Sequence, residues 1–228
     1  MDTSRQLKQG TKEWLEVRLG KVTASIVAAL YGKHPFVEIA DVVKRLREES
    51  VPAIRKKSLA MTWGTRLEDV ARRRYEKATG TKVTETGFWH MKSPPLLSQE
   101  APYSGAPFCG GSPDGIVSSF PGETGQGIIE IKSPHTSQQP KPLVKNMMHI
   151  FQLVMNMFCT DSLWSHFISY TPAGLTIEYV PRPDTVSLGV LKALQHGEQE
   201  EWERLKVYDA KTGKYPGYGK VFFEVILS

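Results

Sequence analysis

Asp114, Glu130 and Lys132 constrain this chain most, because they lie in two short, mostly apolar segments on either side of a turn-rich stretch. The residue pattern predicts strands at 114–119 and 128–132, and the stretch between them is rich in glycine. Strands that follow each other closely in the chain usually pair in one sheet. We therefore expect the two carboxylates to meet at one edge of a β-sheet.

The three side chains suit a particular chemistry. Lys132 lies on the same face of its strand as Glu130, because side chains along a strand alternate between two faces. Hard divalent cations such as Mg²⁺ take oxygen ligands, usually one or two carboxylates with substrate phosphate. A neighbouring lysine can polarise a metal-bound water or offset the charge of a reacting phosphate. The pattern therefore predicts a metal site that cuts phosphodiester bonds.

Composition narrows the class of protein. The chain has 228 residues, a formal net charge of +5 and a pI of about 9.1, a mildly basic balance that is compatible with nucleic acid. Two cysteines argue against a disulfide scaffold, and neither Cys109 nor Cys159 has metal-ligand spacing. No stretch of about twenty residues is apolar enough to span a bilayer. We expect a soluble, intracellular protein that binds no membrane.

The order of predicted elements indicates the fold class. Helices are predicted at about 11–18, 23–31, 38–49, 65–79, 142–160 and 184–207. Strands are predicted at 82–90, 114–119, 128–132, 164–171, 175–181 and 221–226, with a long loop at 91–111. This order predicts one α/β domain over 1–228, with a mixed central β-sheet flanked by helices.

The predicted helix at 65–79 places a carboxylate against the core. On a helical wheel, Glu68 lies beside Tyr75 at the edge of the apolar face, whereas Asp69 points away. An unpaired charge there is costly, and a metal ion or a lysine would offset that cost. On the helix alone, a boundary glutamate that reaches solvent is the favoured interpretation. Arg74 also falls on the apolar side, where it either extends to solvent or reaches a phosphate.

The predicted helix at 142–160 is apolar on nearly all sides except for one stripe. Lys145, His149, Gln152 and Asn156 follow each other at helical spacing, which places them on one face. A buried glutamine needs hydrogen-bond partners. Gln152 either orients an attacking water or bonds to neighbouring backbone, and His149 suits a boundary position better than a metal site. The methionines of this helix are core residues.

Six motifs together resemble a known family. They are Trp14…Arg18-Leu19-Gly20, Thr23-Ala24-Ser25, Trp63-Gly64…Glu68, Ser112-Pro113-Asp114-Gly115, Glu130-Ile131-Lys132-Ser133-Pro134 and Gln152. In this order they resemble the phage lambda exonuclease family, also described as YqaJ-like viral recombinases. That family has a restriction-endonuclease-like core with a proline-aspartate…glutamate-x-lysine signature, and herpesvirus alkaline nucleases are related to it. The resemblance covers about 11–181, and 182–228, a predicted helix and tail, carries no matching motif.

The resemblance implies roles for single residues. The implied metal ligands are Asp114, Glu130, Glu68 and the backbone carbonyl of Ile131. The metal would be Mg²⁺, with Mn²⁺ as a substitute. Lys132 would activate the nucleophilic water and Gln152 would position it. Arg18 and Ser25, with help from Ser112, would anchor the terminal 5′ phosphate of the DNA.

The resemblance also implies an activity and partners. Family members are metal-dependent exonucleases that degrade one strand of linear duplex DNA from 5′-phosphorylated ends and leave 3′ single strands for recombination. Some form a ring-shaped homotrimer and work beside a single-strand annealing protein. We expect the cytoplasm of a bacterial host, or the nucleus or cytoplasm for a eukaryotic virus.

The chain departs from the family pattern in places. The loop at 91–111 and the hairpin after Ser118 look expanded, and Val154 replaces a second glutamine often found two positions after Gln152. Two alternatives therefore stay open. An endonuclease of the same superfamily, such as a junction resolvase or a restriction-like enzyme, would also cut a closed circle. A non-catalytic DNA-binding module would be expected to have lost a carboxylate or the lysine, and none is missing.

Overall fold

The computed structural model describes residues 3–51, 58–91, 109–143 and 146–182, together with the backbone of 220–226. Within these ranges the α-helices are α1 Lys12–Glu16, α2 Ile39–Leu46, α3 Leu59–Thr79 and α4 Met147–Thr160, and short 3-10 helices span Thr3–Gln6 and Val27–Tyr31. The strands are β1 Val22–Thr23, β2 Trp89–His90, β3 Cys109–Gly111, β4 Gly115–Val117, β5 Gly127–Lys132, β6 Trp164–Thr171, β7 Gly174–Pro181 and β8 Lys220–Ile226.

The strands form two mixed sheets. The larger has the order β4-β5-β6-β7-β8, with β5 and β6 parallel and the other neighbours antiparallel. The smaller has the order β1-β3-β2, with β1 parallel and β2 antiparallel to β3. An isolated bridge between Thr84 and Ile116 connects the segment before β2 to β4. The predicted mixed sheet with flanking helices is confirmed.

Two helices cover opposite faces of the larger sheet. Ile129 and Ile131 of β5 pack in one apolar cluster with Ala71 and Tyr75 of α3. Ile128, the alternate residue of the same strand, packs in a second cluster with α4. Because side chains alternate along a strand, Glu130 and Lys132 share the face of Ile128 and are directed toward α4. The polar stripe of α4 therefore meets the polar face of β5.

Local sequence signals explain where the two long helices begin and end. The Ser58 side chain accepts a hydrogen bond from the Met61 backbone N–H at the start of α3, and Gly80 ends that helix with φ of 70°. Asn146 caps α4 through the N–H of His149, and Asp161 ends it with φ of 55°. The predicted end of this helix at residue 79 is confirmed, whereas α3 begins at Leu59, earlier than the predicted residue 65.

Several predicted boundaries are wrong, and tertiary pairing is the reason in two cases. The helix predicted from residue 23 begins as β1, because Thr23 pairs with Gly110; only Val27–Tyr31 is helical, as a 3-10 helix. The last three residues of the predicted loop at 91–111 form β3 for the same reason. The strand predicted at 82–90 is reduced to one bridge and β2. The helix predicted at 38–49 ends at Leu46.

Three predicted elements are present but shorter: the helix at 11–18 spans Lys12–Glu16, the helix at 142–160 begins at Met147, and the strand at 114–119 spans Gly115–Val117. The other predictions agree or lie outside the described residues. The strands predicted at 164–171 and 175–181 are β6 and β7, and the terminal strand predicted at 221–226 is β8. The helix predicted at 184–207 and most of the loop at 91–111 lie outside the described residues. Among the described helices, none has the length and apolar character that crossing a bilayer requires.

Candidate active site

The β4–β5 pairing brings two carboxylates together. Asp114 comes directly before β4, and its backbone N–H donates to the Ile129 carbonyl over 3.1 Å. The backbone N–H of Ile131 donates to Asp114 Oδ2 over 2.6 Å. This contact holds the Asp114 carboxylate against the main chain of β5, beside Glu130. The expected meeting of the two acids at one sheet edge is confirmed.

Glu130 is the most enclosed group of the site, with 1% of its surface exposed. Its Oε1 accepts hydrogen bonds from Lys132 Nζ and from Gln152 Nε2, each over 2.6 Å. Its Oε2 accepts from Asn156 Nδ2 over 3.1 Å. A buried carboxylate is costly unless it is paired and hydrogen-bonded. The lysine and the two α4 amides meet that requirement for Glu130.

The electrostatics of the two acids and the lysine are coupled. Burial, with help from the Asp114 charge, raises the pKa of Glu130 to about 7 even though Lys132 opposes the shift. Burial also raises the pKa of Asp114, against the effects of Lys132 and the Ile131 N–H. Burial alone would lower the pKa of Lys132, but the charges of Glu130 and Asp114 outweigh it and raise that pKa. Enclosure therefore disfavours the ionised form of both carboxylates, and Lys132 partly offsets that effect.

Glu68 of α3 adds a third carboxylate to this region. It is half-buried, and burial together with the charge of Asp114 raises its pKa to about 7. Asp69 is exposed and pairs with Arg73 over 2.8 Å, as the helical wheel indicated. Arg74 is exposed, which agrees with the alternative that its side chain extends to solvent. Arg72 is the buried arginine of this helix instead, and it forms an ion pair with Glu85.

A second polar group surrounds Arg18. Its guanidinium lies 3.9 Å from the centroid of the Trp14 ring, and one nitrogen donates to Thr23 Oγ1 over 3.5 Å. The hydroxyls of Thr23 and Ser25 are 3.1 Å apart. Trp14 Nε1 donates to Ser112 Oγ over 3.0 Å. Arg18, Ser25 and Ser112 are thus brought together, with Trp14 and Thr23 between them.

Arg18 forms no ion pair with a carboxylate among the described residues. Burial and the charge of Arg45 lower its pKa to about 10, so the guanidinium stays charged at neutral pH. A fixed cation surrounded by hydroxyls is well suited to bind a phosphate, which accepts charge-assisted hydrogen bonds.

The two polar groups are continuous, because Ser112 and Asp114 belong to one short segment. Gln9 Nε2 donates to the Pro113 carbonyl over 2.9 Å and to the Thr86 carbonyl over 3.1 Å. These bonds connect the segment to Gln9 and, through it, to the Thr86 backbone. The position of the segment therefore sets the spacing between the Arg18 group and the carboxylates.

The donor set is compatible with a divalent cation of the magnesium class. Within the described ranges, no three histidine, cysteine, aspartate or glutamate side chains form a group that could hold an ion by themselves. Mg²⁺ usually keeps several waters and takes only one or two carboxylates, with substrate phosphate completing its shell. The raised pKa values of Asp114 and Glu130 indicate that a cation beside them would be stabilising.

Sequence reasoning missed three contributors to the site. Asn156 was recognised as part of the α4 stripe, and its spacing one turn after Gln152 was the available signal. Thr23 lies in one of the six motifs but was assigned no role, although its partners Arg18 and Ser25 are close in the chain. Gln9 carried no comparable signal, because its partners are distant in the chain. His149 is half-buried, with its ring 5.6 Å from that of Phe167, and burial lowers its pKa to about 3. Lys145 lies outside the described residues.

Comparison with solved structures identifies the fold. The crystal structure of an alkaline exonuclease (LHK-Exo) from Laribacter hongkongensis is 30% identical, with a TM-score of 0.56, and the match covers 89% of this chain and 100% of that chain. The crystal structure of LHK-Exo in complex with dAMP is 29% identical, with a TM-score of 0.58, and the match covers 90% and 99%. The fold is therefore the restriction-endonuclease-like fold, as expected.

The sequence comparison identifies the family. No curated protein matches the chain. Residues 13–162, more than half of the chain, match the YqaJ-like viral recombinase domain. This range includes the Arg18 group, both carboxylates of the β4–β5 pair and the α4 amides. The chain thus belongs to the family of YqaJ-like viral recombinase domains.

Proposed function

We propose that this protein is a metal-dependent 5′→3′ exonuclease that degrades one strand of linear duplex DNA from 5′-phosphorylated ends. It would release mononucleotides and leave 3′ single strands for recombination. The observation that carries the proposal is the continuity of the Arg18 group with the carboxylates through the segment 112–114. Family membership and the likeness to an alkaline exonuclease support a nuclease.

The proposed cofactor is Mg²⁺, with Mn²⁺ as a substitute. Asp114 and Glu130 would hold the ion, together with the backbone carbonyl of Ile131 and Glu68. When bound, the cation would neutralise charge on the phosphate and favour the hydroxide form of a nearby water. Two of these carboxylates are preorganised for this purpose, since the Ile131 N–H holds that of Asp114, and Lys132 and Gln152 hold that of Glu130.

Lys132 and Gln152 are the proposed catalytic residues beside Glu130. Both reach the same carboxylate oxygen over 2.6 Å, so both are directed at one small region of the site. Lys132 Nζ would take the proton of the attacking water, and Gln152 would orient that water. A lysine base must be neutral to act, so activity should rise toward alkaline pH.

Arg18, Ser25 and Ser112 would bind the terminal 5′ phosphate. Holding that phosphate on one side of the segment 112–114 would place the next phosphodiester bond at the carboxylates on the other side. In-line attack there would release the 3′ oxygen of the terminal nucleotide, and a 5′ mononucleotide would leave. This geometry would make a free, phosphorylated end a requirement for cutting.

The proposed partners follow from the proposed nuclease function. Linear duplex DNA would be held mainly through its backbone, so little sequence preference is expected. A homotrimer and a single-strand annealing protein are further proposals that rest on the family resemblance. We expect the protein to act inside the host cell, where such DNA ends arise.

Digestion of two DNAs in parallel tests the proposal. A 5′-phosphorylated linear duplex and a covalently closed circle would be incubated with Mg²⁺ and either wild type, Lys132→Ala or Lys141→Ala. Lys141 is exposed, and within the described residues its one hydrogen bond comes from its backbone N–H, so it serves as the matched control. We expect mononucleotides from the linear duplex with wild type and the control only. Cutting of the circle would instead indicate an endonuclease, and inactivity on both DNAs would favour a binding module.

A further inference from the structure

Asn156 makes a contact with Glu130 that the proposed function does not use. The residue is fully buried on α4, one turn after Gln152. Its Nδ2 donates to Glu130 Oε2 over 3.1 Å. Among the described residues this is the one hydrogen bond that Oε2 accepts, whereas Oε1 accepts two. The orientation of the carboxylate plane therefore depends on Asn156.

The oxygen of the Asn156 amide lies close to Gly111 of β3. A Cβ placed on Gly111 would collide with Asn156 Oδ1, so a residue with a side chain leaves no room for the amide. Oδ1 has no hydrogen-bond partner among the described residues. Gly111 does not have a positive φ, so its backbone conformation does not require glycine. Space for Asn156 is the visible reason for glycine at this position.

A buried amide with one unsatisfied oxygen is destabilising by itself. A leucine or methionine would fill this position on an otherwise apolar helix without that cost. Glu130 Oε2 is the group that would lose a donor by such a change, and it belongs to a proposed metal ligand. Groups that orient ligands commonly affect metal binding strongly.

We propose that Asn156 is a positioning residue: it fixes the Glu130 carboxylate in the orientation that binds the divalent cation, and Gly111 provides the space it needs. The inference rests on the proposed metal site, which it deepens by naming what holds the ligand. Asn156 also packs closely against Gly111, the last residue of β3, which is followed by Ser112 of the Arg18 group. A substitution at Asn156 or at Gly111 would therefore alter the position of the proposed metal ligand Glu130.

The first experiment measures binding of Mn²⁺ alone, without DNA, by titration calorimetry on the full chain. The variants are Asn156→Ala and Asn156→Ser, with Thr160→Val as the matched control. Thr160 is equally buried one turn later on α4, and its hydroxyl bonds backbone and Ser162 but not Glu130. Loss of such a group typically weakens metal affinity about 10- to 100-fold. We expect that loss for both Asn156 variants, and a change of less than about twofold for Thr160→Val.

Kinetics on the 5′-phosphorylated duplex give a second readout. A displaced metal ligand should lower kcat and raise the Mg²⁺ concentration needed for half-maximal activity. The KM for DNA ends should stay near its wild-type value, because the Arg18 group is unchanged. The inference would be overturned if the Asn156 variants had the same Mn²⁺ affinity and the same Mg²⁺ dependence as Thr160→Val.

A double-mutant cycle separates positioning from general damage to the core. Gly111→Ala should weaken Mn²⁺ binding in the wild-type background, because the new methyl group displaces the Asn156 amide. In the Asn156→Ala background the methyl group has space, so Gly111→Ala should have little further effect. Independent effects, which multiply in the double variant, would contradict the proposed contact.

These outcomes differ from failure of the proposed function. If the wild-type chain neither binds Mn²⁺ nor degrades linear DNA, the proposal of a metal-dependent nuclease is itself wrong. If wild type binds the ion and degrades DNA while both Asn156 variants behave like Thr160→Val, only the positioning role is wrong.

Discussion

Arg18 carries a positive charge that no carboxylate neutralises among the described residues, and Trp14 and Thr23 hold its guanidinium in place. Arg18→Ala should therefore reduce the preference for 5′-phosphorylated over 5′-hydroxyl ends. A hydrogen bond to a charged group contributes about 1.5–3 kcal/mol, which corresponds to a loss of roughly 10- to 150-fold. Initial rates on the two duplexes measure the preference. Arg73→Ala, which removes an exposed arginine, is the control and should keep it.

His166 of β6 is buried in the core, where its Nδ1 is 2.8 Å from the hydroxyl of Tyr75. Burial lowers its pKa from 6.5 to about 3. The unfolded chain therefore binds a proton that the folded chain does not bind between these values. The contribution of His166 to stability is full above the unfolded pKa and is lost as the pH falls toward 3.

This linkage predicts acid sensitivity of the fold. Lowering the pH from 7 to 5 should reduce the free energy of unfolding by about 2 kcal/mol through His166 alone. Denaturant titrations at both pH values, on wild type and His166→Gln, measure the difference. The variant should lose most of this pH dependence, whereas the exposed control His135→Gln should keep it. Equal slopes for wild type and His166→Gln would contradict the account.

Residue patterns were sufficient to predict which side chains meet in the site where those side chains are close together in the chain. Lys132 follows Glu130 by two positions in a strand, so their shared face was predictable before the fold was known. Asn156 shows the limit, because its role depends on which face of α4 packs against β5. The carboxylate of Glu68 was ambiguous for the same reason, since the wheel locates a face but not the element that covers it.

At the scale of elements, glycines show where close packing limits the side chain. A Cβ on Gly127 of β5 would collide with the Trp164 ring of β6, whereas a Cβ on Gly64 of α3 meets nothing within 4 Å. Gly127→Ala should therefore destabilise the fold by about 1–3 kcal/mol. Gly64→Ala should stabilise it by about 0.5–1 kcal/mol, because alanine favours an α-helix.

Thermal unfolding of the two variants beside wild type tests this pair of predictions. The expected result is a lower Tm for Gly127→Ala and a higher Tm for Gly64→Ala. Activity on linear DNA adds information about Gly64, which belongs to a family motif. A Gly64 variant that is more stable but less active would indicate a close approach of DNA to α3. A lower Tm for Gly64→Ala would contradict the open position described above.

Element boundaries were predictable where capping residues are present. Thr11 accepts a hydrogen bond from the Trp14 backbone N–H, and Gly80 closes α3, both as the sequence indicated. The strands β1 and β3 were not predictable, because each exists only by pairing with a segment far along the chain. A two-residue strand such as β1 has no periodicity of its own, so a helix was the natural but wrong expectation.

At the scale of the whole molecule, α3 and α4 cover opposite faces of one mixed sheet, and the carboxylates lie at its edge. A cation bound there would be released on unfolding, so it should stabilise the fold. At a concentration about 100-fold above its dissociation constant, a ligand adds about 2.7 kcal/mol. Mg²⁺ or Mn²⁺ should therefore raise the Tm of wild type. Asp114→Asn should abolish the increase, while the exposed control Asp69→Asn should retain it.

The mixed sheet and its flanking helices were predictable from the order of the elements along the chain. Their assembly into one site was less so, since Arg18, Asp114 and Asn156 come from three distant segments. The family resemblance supplied that information in advance, because its motifs come from proteins in which the segments already meet. The single domain over 1–228 stays a prediction.

The central claim is that a bound 5′ phosphate directs hydrolysis to the adjacent bond. Its most direct test is a linear duplex with one 5′-phosphorylated strand, labelled in separate preparations at the 5′-terminal or the 3′-terminal nucleotide of that strand. Acid-soluble label would be followed over time with Mg²⁺. The account predicts that the 5′ label is released first, as a mononucleotide, while the 3′ label stays acid-insoluble. Earlier release of the 3′ label, or release of the 5′ label only within longer fragments, would contradict it.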